Sequence, residues 1–188
     1  MEQLGIDFDV VVSDADELVS GDPIEVAVSN AVAKAQAAWR AGRDHRLRRR
    51  CPSGPTSMAV VGVDTVVVLD GVIYGKPSDA PGARATLERL SGRTHEVVSG
   101  IAVVDAGETR TASATTRVSF RSLDPATLDW YLASEEWRER AGGYAIQGRG
   151  AALVAGIEGD YLNVVGLPVA ALLELLPGIL HGGAGPLR

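Results

Sequence analysis

Asp64 sits inside the run Val61-Gly62-Val63-Asp64-Thr65-Val66-Val67, which is otherwise apolar or small. A carboxylate buried in such a strand is costly unless it is hydrogen-bonded, paired or bound to metal. Satisfying backbone amides at a bulge is the plain structural alternative; a carboxylate opening onto a cleft suits the pattern better. The chain has only two lysines, Lys34 and Lys76, against sixteen arginines. Lysine presents a compact, mobile point charge and arginine a rigid planar fork, so the two are poor substitutes where a phosphate or carboxylate is met end-on. Lys76 lies in Gly75-Lys76-Pro77 just after the Asp64 strand, and Lys34 lies on the helix that leads up to it. Asp14, Asp16 and Glu17 add acidic groups upstream. Magnesium or manganese needs hard oxygen ligands, commonly one or two carboxylates plus substrate phosphates. Glu17 with Asp64 can supply the carboxylates, and Lys34 and Lys76 the charge that meets phosphate. Taken alone, Glu17 reads as a surface loop residue.

Ala141-Gly142-Gly143-Tyr144-Ala145-Ile146-Gln147-Gly148 is rich in glycine but matches neither a P-loop nor a dinucleotide fingerprint. Its glycines let backbone approach a ligand closely, and Gln147 offers a donor and an acceptor to a base edge. A simple glycine-rich turn fits the same letters nearly as well. His45 and His181 lie in polar, loop-like stretches, and His95 at a strand start reads as structural. Trp130 and Trp137 read as core or interface residues.

Composition narrows the classes. A net charge of −6 disfavours general nucleic-acid binding. The single Cys51 cannot form an internal disulfide and has no metal-ligand spacing around it. No apolar run approaches membrane-spanning length and no leader pattern opens the chain, so a cytoplasmic setting with no membrane partner is expected. The length suits one domain over residues 1–180, with a basic loop at 42–57 and a flexible tail at 181–188. Five arginines crowd 43–50, where like charges repel and nothing apolar anchors them, so a solvated insertion is the reading there.

The elements that must position these residues follow from local signals. Phe8–Val12 reads as a strand. Asp22-Pro23-Ile24-Glu25 starts a helix running to about Arg40, whose many alanines imply close packing. Ala59–Leu69 is a buried strand that turns at Asp70-Gly71 into Val72–Tyr74. Ser78–Leu90 is a helix stopped by Ser91-Gly92. Strands over 95–104 and 109–120 form a hairpin across Ala106-Gly107, and Asp124-Pro125 caps another helix. A strand at 152–157, a loop to Pro168 and a helix to about Leu176 complete the chain. Helices, strands and hairpins in this order predict an α/β fold with a mixed β-sheet and flanking helices.

Taken together, Val61–Val67, Gly75-Lys76-Pro77, Leu90-Ser91-Gly92-Arg93-Thr94-His95, Ala141–Gly148 and Asn163-Val164-Val165-Gly166-Leu167-Pro168 occur in the order seen in Maf proteins. These are the septum-formation-inhibitor family of nucleoside triphosphate pyrophosphatases, and the resemblance spans roughly residues 3 to 177. It implies two lobes around a deep cleft, similar in outline to the inosine-triphosphate pyrophosphatases. It also implies hydrolysis of nucleoside triphosphates to the monophosphate and pyrophosphate with a divalent cation, Mg2+ or Mn2+, and a homodimer. On that resemblance Asp64 matches the acid that holds metal or activates water, and Glu17 the second carboxylate. Lys76 and Lys34 match lysines that contact phosphate and substrate, and Thr65 joins them in the substrate set. Gln147 matches the subgroup similar to dTTP/UTP pyrophosphatases rather than the one acting on 7-methyl-GTP. Arg140 stands where the family usually has lysine. Family members begin with a strand and a Ser-x-x-Arg-Arg loop that this chain lacks, so its natural start is expected upstream, and an exposed sheet edge is expected in their place. The alternative function is a catalytically impaired relative that binds nucleotide or a cell-division partner.

Overall fold

The computed structural model describes residues 5–6, 8–42 and 59–181. The arginine-rich loop with His45 and Cys51, the stretch Glu2-Gln3-Leu4 and the tail from Gly182 lie outside the described residues.

Helix α1 (Pro23–Gly42) begins as its sequence dictates. Asp22 Oδ1 accepts from the amides of Ile24 at 3.0 Å and Glu25 at 3.1 Å, which satisfies two otherwise orphaned donors of the first turn. Strand β1 (Val60–Leu69) turns through Asp70 and Gly71, both in the left-handed region at φ 53° and 75°, into β2 (Val72–Tyr74). Two successive positive φ values match the right-handed twist of a tight hairpin. Helix α2 (Ala80–Leu90) follows, capped by Asp79, whose carboxylate accepts from Gly82 N. The long hairpin of β3 (Thr94–Asp105) and β4 (Glu108–Phe120) turns at Ala106 and Gly107, also at positive φ. Asp124 caps α3 (Pro125–Leu132). After the glycine-rich segment come β5 (Val154–Glu158), α4 (Tyr161–Val165) and α5 (Val169–Leu175).

The sheet has the order β2-β1-β3-β4-β5. Sheet and flanking helices are the α/β architecture expected from the sequence. Every pairing among the described residues is antiparallel: β1–β2 and β3–β4 are hairpins, while β3 is reached from β1 through β2 and α2, and β5 from β4 through α3 and the glycine-rich segment. Phe8–Val12 is not a strand. Val10 and Val12 are largely exposed and the segment is coil, with no partner strand among the described residues to take up its backbone groups. The loop before Pro168 also contains the short helix α4, which Asp160 opens by accepting from Leu162 N and Gly166 closes at φ 116°.

Strand alternation assigns β1 to two environments. Val66 and Val68 pack with Val26 and Ala27 of α1 on one face. On the other, Val67 and Leu69 join α2, α3, Tyr144 and Ile146 in the largest core cluster, and Val61 and Val63 lie against α5. The alanines of α1 explain how closely it approaches the sheet. A Cβ built on Gly100 would lie 2.3 Å from the backbone oxygen of Ala27, and one on Gly62 would lie 2.3 Å from that of Ala31. Glycines on the strands and alanines on the helix remove every atom that would hold the two apart, so the backbones nearly touch.

His95 is 1% exposed, and its Nε2 shares a 2.8 Å hydrogen bond with the Tyr144 hydroxyl. Both rings meet Phe120 edge-on. Burial lowers the His95 pKa from 6.5 to about 4 and raises that of Tyr144.

Two outcomes follow. Gly100→Ala forces α1 off the sheet and lowers stability by about 1–3 kcal/mol in urea denaturation. The unfolded chain takes a proton on His95 between pH 6.5 and about 4 while the folded chain does not, so stability is complete above pH 6.5 and falls as pH drops through that window. The loss amounts to about 3 kcal/mol at its acid end. Unfolding midpoints of wild type and His95→Gln measured at several pH values check this, the variant losing that part of the slope.

Candidate active site

Asp64 stands in β1 opposite Gly100 of β3, on the face covered by α1. It is 8% exposed and both its oxygens are engaged. Asn30 Nδ2 donates to Oδ2 at 3.0 Å and Lys34 Nζ to Oδ1 at 2.5 Å. Asn30 and Lys34 are four residues apart on α1, one turn, and therefore present a donor pair to the same carboxylate. Lys34 Nζ also lies 2.8 Å from Glu17 Oε1, so a single ammonium bridges the two acids. Its hydrogen bond lowers the Glu17 pKa against the opposing effect of burial. For Lys34, burial is the largest influence and pulls the pKa down, but hydrogen bonds to Asp64 and Glu17, with their charges, together raise it.

Asn30 is the residue that sequence reasoning missed. It is 2% exposed and clasps the backbone of Leu18 from both sides, its Oδ1 accepting from Leu18 N at 2.7 Å and its Nδ2 donating to Leu18 O at 3.0 Å. One amide thus fixes the strap carrying Glu17 and orients Asp64. The signal available in the sequence was an asparagine one turn before Lys34 on the alanine face of α1.

The sheet's faces meet at the edge of β1. On the side away from β3, β2 pairs only with Val67–Leu69, and the preceding part of β1 has no strand partner there among the described residues. A cleft of about 550 Å³ runs past this edge. Lys34 and Asp64 line it from the α1 side, Thr65 and Val67 from the other. The Thr65 hydroxyl is already paired with Ser99 Oγ at 2.8 Å. Lys76 lines the cleft with its side chain half exposed, and its only ion pair among the described residues is with the exposed Glu139, at 3.6 Å. Of the two lysines, Lys76 is the one with a charge free to meet a ligand, while Lys34 is committed to carboxylates. Arg140 and Gln147 line the opposite wall.

That wall is built by the glycine-rich segment. Gly142 and Gly143 are at φ 67° and 71°, and a Cβ on Gly142 would lie 2.8 Å from the Val67 side chain, so glycine is needed for both the turn and the contact. Gly142 N donates to Gly75 O at 3.0 Å, tying this wall to the loop that carries Lys76. Two ammonium groups, Arg140 and an amide, Gln147, that has no side-chain hydrogen bond among the described residues line one cleft with Asp64, a set suited to a polyanion with a polar, planar headgroup.

The "Maf-like protein" family model matches residues 1–179. The chain belongs to the Maf family. Among curated relatives it is similar to a dTTP/UTP pyrophosphatase of Pyrococcus furiosus, 40% identical over 90% of this chain and 84% of that protein. It is likewise similar to the dTTP/UTP pyrophosphatase of Symbiobacterium thermophilum, 40% identical over 98% of this chain and 92% of the relative. That of Moorella thermoacetica is 43% identical over 94% and 86%. Among the described residues no helix of this Maf chain is long and apolar enough to cross a membrane, and no cluster of three or more His, Cys, Asp or Glu forms a ready metal cage.

Removing the ammonium leaves a nearly buried carboxylate unpaired. Lys34→Met costs about 2–4 kcal/mol in wild type and much less in an Asp64→Asn background. A double-mutant cycle by chemical denaturation measures the difference.

Proposed function

We propose that this Maf protein hydrolyses pyrimidine nucleoside triphosphates, dTTP and UTP or modified forms of them, to the monophosphate and pyrophosphate. The observation that carries the reading is the cleft itself. A hydrogen-bonded carboxylate, Asp64, lines it together with Lys76 and the Gln147 amide. The printed activity of the relatives supports the same substrate class.

The two acids fit a divalent cation. Glu17 and Asp64 would hold it: their pairing with the same Lys34 ammonium brings the two carboxylates to one place, and both offer hard oxygen ligands. Two carboxylates with substrate phosphates are a usual donor set for Mg2+ or Mn2+, and neither cation needs the larger protein cage that is lacking among the described residues. When bound, the cation supplies charge neutralisation at the phosphates.

The remaining roles belong to side chains. Asp64, held by Asn30 and Lys34, accepts the proton of the water that attacks the α-phosphorus. The new bond joins the water oxygen to that phosphorus, the bond to the bridging oxygen of the β-phosphate breaks, and pyrophosphate leaves with that electron pair. Lys76 and Arg140 place positive charge beside the phosphates, where it stabilises the charge that develops on the leaving group. Gln147 donates to and accepts from the pyrimidine edge. Thr65 lies beneath the substrate, its hydroxyl oriented by Ser99. The family resemblance supports a homodimer and a cytoplasmic setting.

The test is pyrophosphate release from dTTP, UTP, CTP and GTP with Mg2+ or Mn2+. Pyrimidine triphosphates are cleaved preferentially, and Asp64→Asn lowers kcat by about 10²–10⁴-fold. A folded wild-type chain that cleaves none of them overturns the reading.

A further inference from the structure

Gln147 sits on a segment whose two sides are each fastened to one neighbouring stretch of chain. Two residues before it, the Ala145 amide donates to the Tyr131 hydroxyl at 3.2 Å. Two residues after it, the Arg149 amide donates to Glu136 Oε2 at 2.8 Å. Gly148, at φ 69°, packs against the same carboxylate so closely that a Cβ there would lie 2.9 Å from Glu136 Oε2. Tyr131 is fully buried at the end of α3. Glu136 belongs to the turn that follows, where Glu135 and Glu139 both adopt left-handed backbone at φ 59° and 56°. Non-glycine residues keep such conformations only where surrounding structure over-determines them. Ser134 adds to this, its hydroxyl donating to Tyr131 O at 2.6 Å and accepting from Glu136 N at 3.2 Å. The stretch from Tyr131 to Glu136 is thus a braced arm that grips the Gln147 segment at two points.

The chemistry of the grip bears on recognition. Neither Tyr131 nor Glu136 supplies a group that the phosphate end of the cleft requires. The Tyr131 hydroxyl and Glu136 Oε2 are instead used by the backbone amides that flank Gln147. An amide reads a base edge only if its own position is fixed, since the discrimination comes from donors and acceptors that are left unpaired by the wrong partner. We propose that Glu136, with Tyr131, is a positioning residue for base recognition: it holds Gln147 at the depth in the cleft that admits a pyrimidine. This rests on the pyrophosphatase reading above.

The test compares steady-state kinetics on UTP, GTP and the base-free ribose 5-triphosphate. In Glu136→Ala, KM for UTP rises about tenfold and the UTP-over-GTP preference falls by a similar factor, the scale of one lost hydrogen bond to a charged acceptor. On UTP kcat changes less than KM, and ribose 5-triphosphate, which has no base to read, shows no matching rise in KM. Glu136→Gln keeps an oxygen acceptor and returns most of the preference. Tyr131→Phe keeps the buried ring but removes the other fastening, and it shifts KM in the same direction, so the inference remains testable even if Glu136→Ala fails to fold. Equal losses on UTP and ribose 5-triphosphate, or unchanged UTP and GTP parameters in both variants, overturn it. A wild-type protein that cleaves no triphosphate overturns the pyrophosphatase reading instead.

Discussion

The site depends on one electrostatic arrangement, the Asp64 carboxylate held inside a valine strand by a lysine and an asparagine from the facing helix. An isolated charge at 8% exposure is not tolerable, so Asp64 can exist there only if α1 delivers both donors at the right height. The helix delivers them because its alanines and the strand glycines bring the two backbones nearly into contact. Stability and chemistry are therefore coupled here: the small residues that let α1 settle on the sheet also set the distance from Lys34 to Asp64.

The same helix organises the strap before it. Asn30 clasps Leu18 and Asp64 with one side chain, so Glu17, a residue of an otherwise exposed coil, is brought to the ammonium that Asp64 uses. Three charges are thereby concentrated beside the part of β1 that has no second strand partner among the described residues. At the opposite wall the means are different. There Tyr144 and Ile146 anchor the glycine-rich segment in the core, and hydrogen bonds from its backbone amides to Gly75, Tyr131 and Glu136 fix the rest. A rigid polar wall facing a charged end suits a ligand that is highly anionic at one end and planar at the other.

Much of this was legible in the residues. Asp22 and Asp124 announce their helices because a short acidic side chain ahead of a first turn has few better uses than capping it. Asp70-Gly71 and Ala106-Gly107 mark hairpins whose positive φ values the structure shows. The Phe8–Val12 segment misled, since its valines have the character of a strand but strand formation needs a neighbour. Helix α4 was missed because five residues carry too little periodicity to stand out from a loop.

The sequence by itself determined the order of most elements, the family, and the residue types from which the site is proposed, Asp64, Lys76 and Gln147 foremost. These follow from local propensity and from ordered motifs, which need no knowledge of distant contacts. Only the tertiary structure decided which lysine is free and which is spent, since Lys34 and Lys76 look alike until one is found between two carboxylates. It alone gave Asn30 and Glu136 their importance. Asn30 is 34 residues from the carboxylate it orients, and Glu136 is 13 from the amide it holds. A side-chain hydrogen bond across such separations depends on how helix, strand and loop dock, and no spacing rule along the chain encodes that.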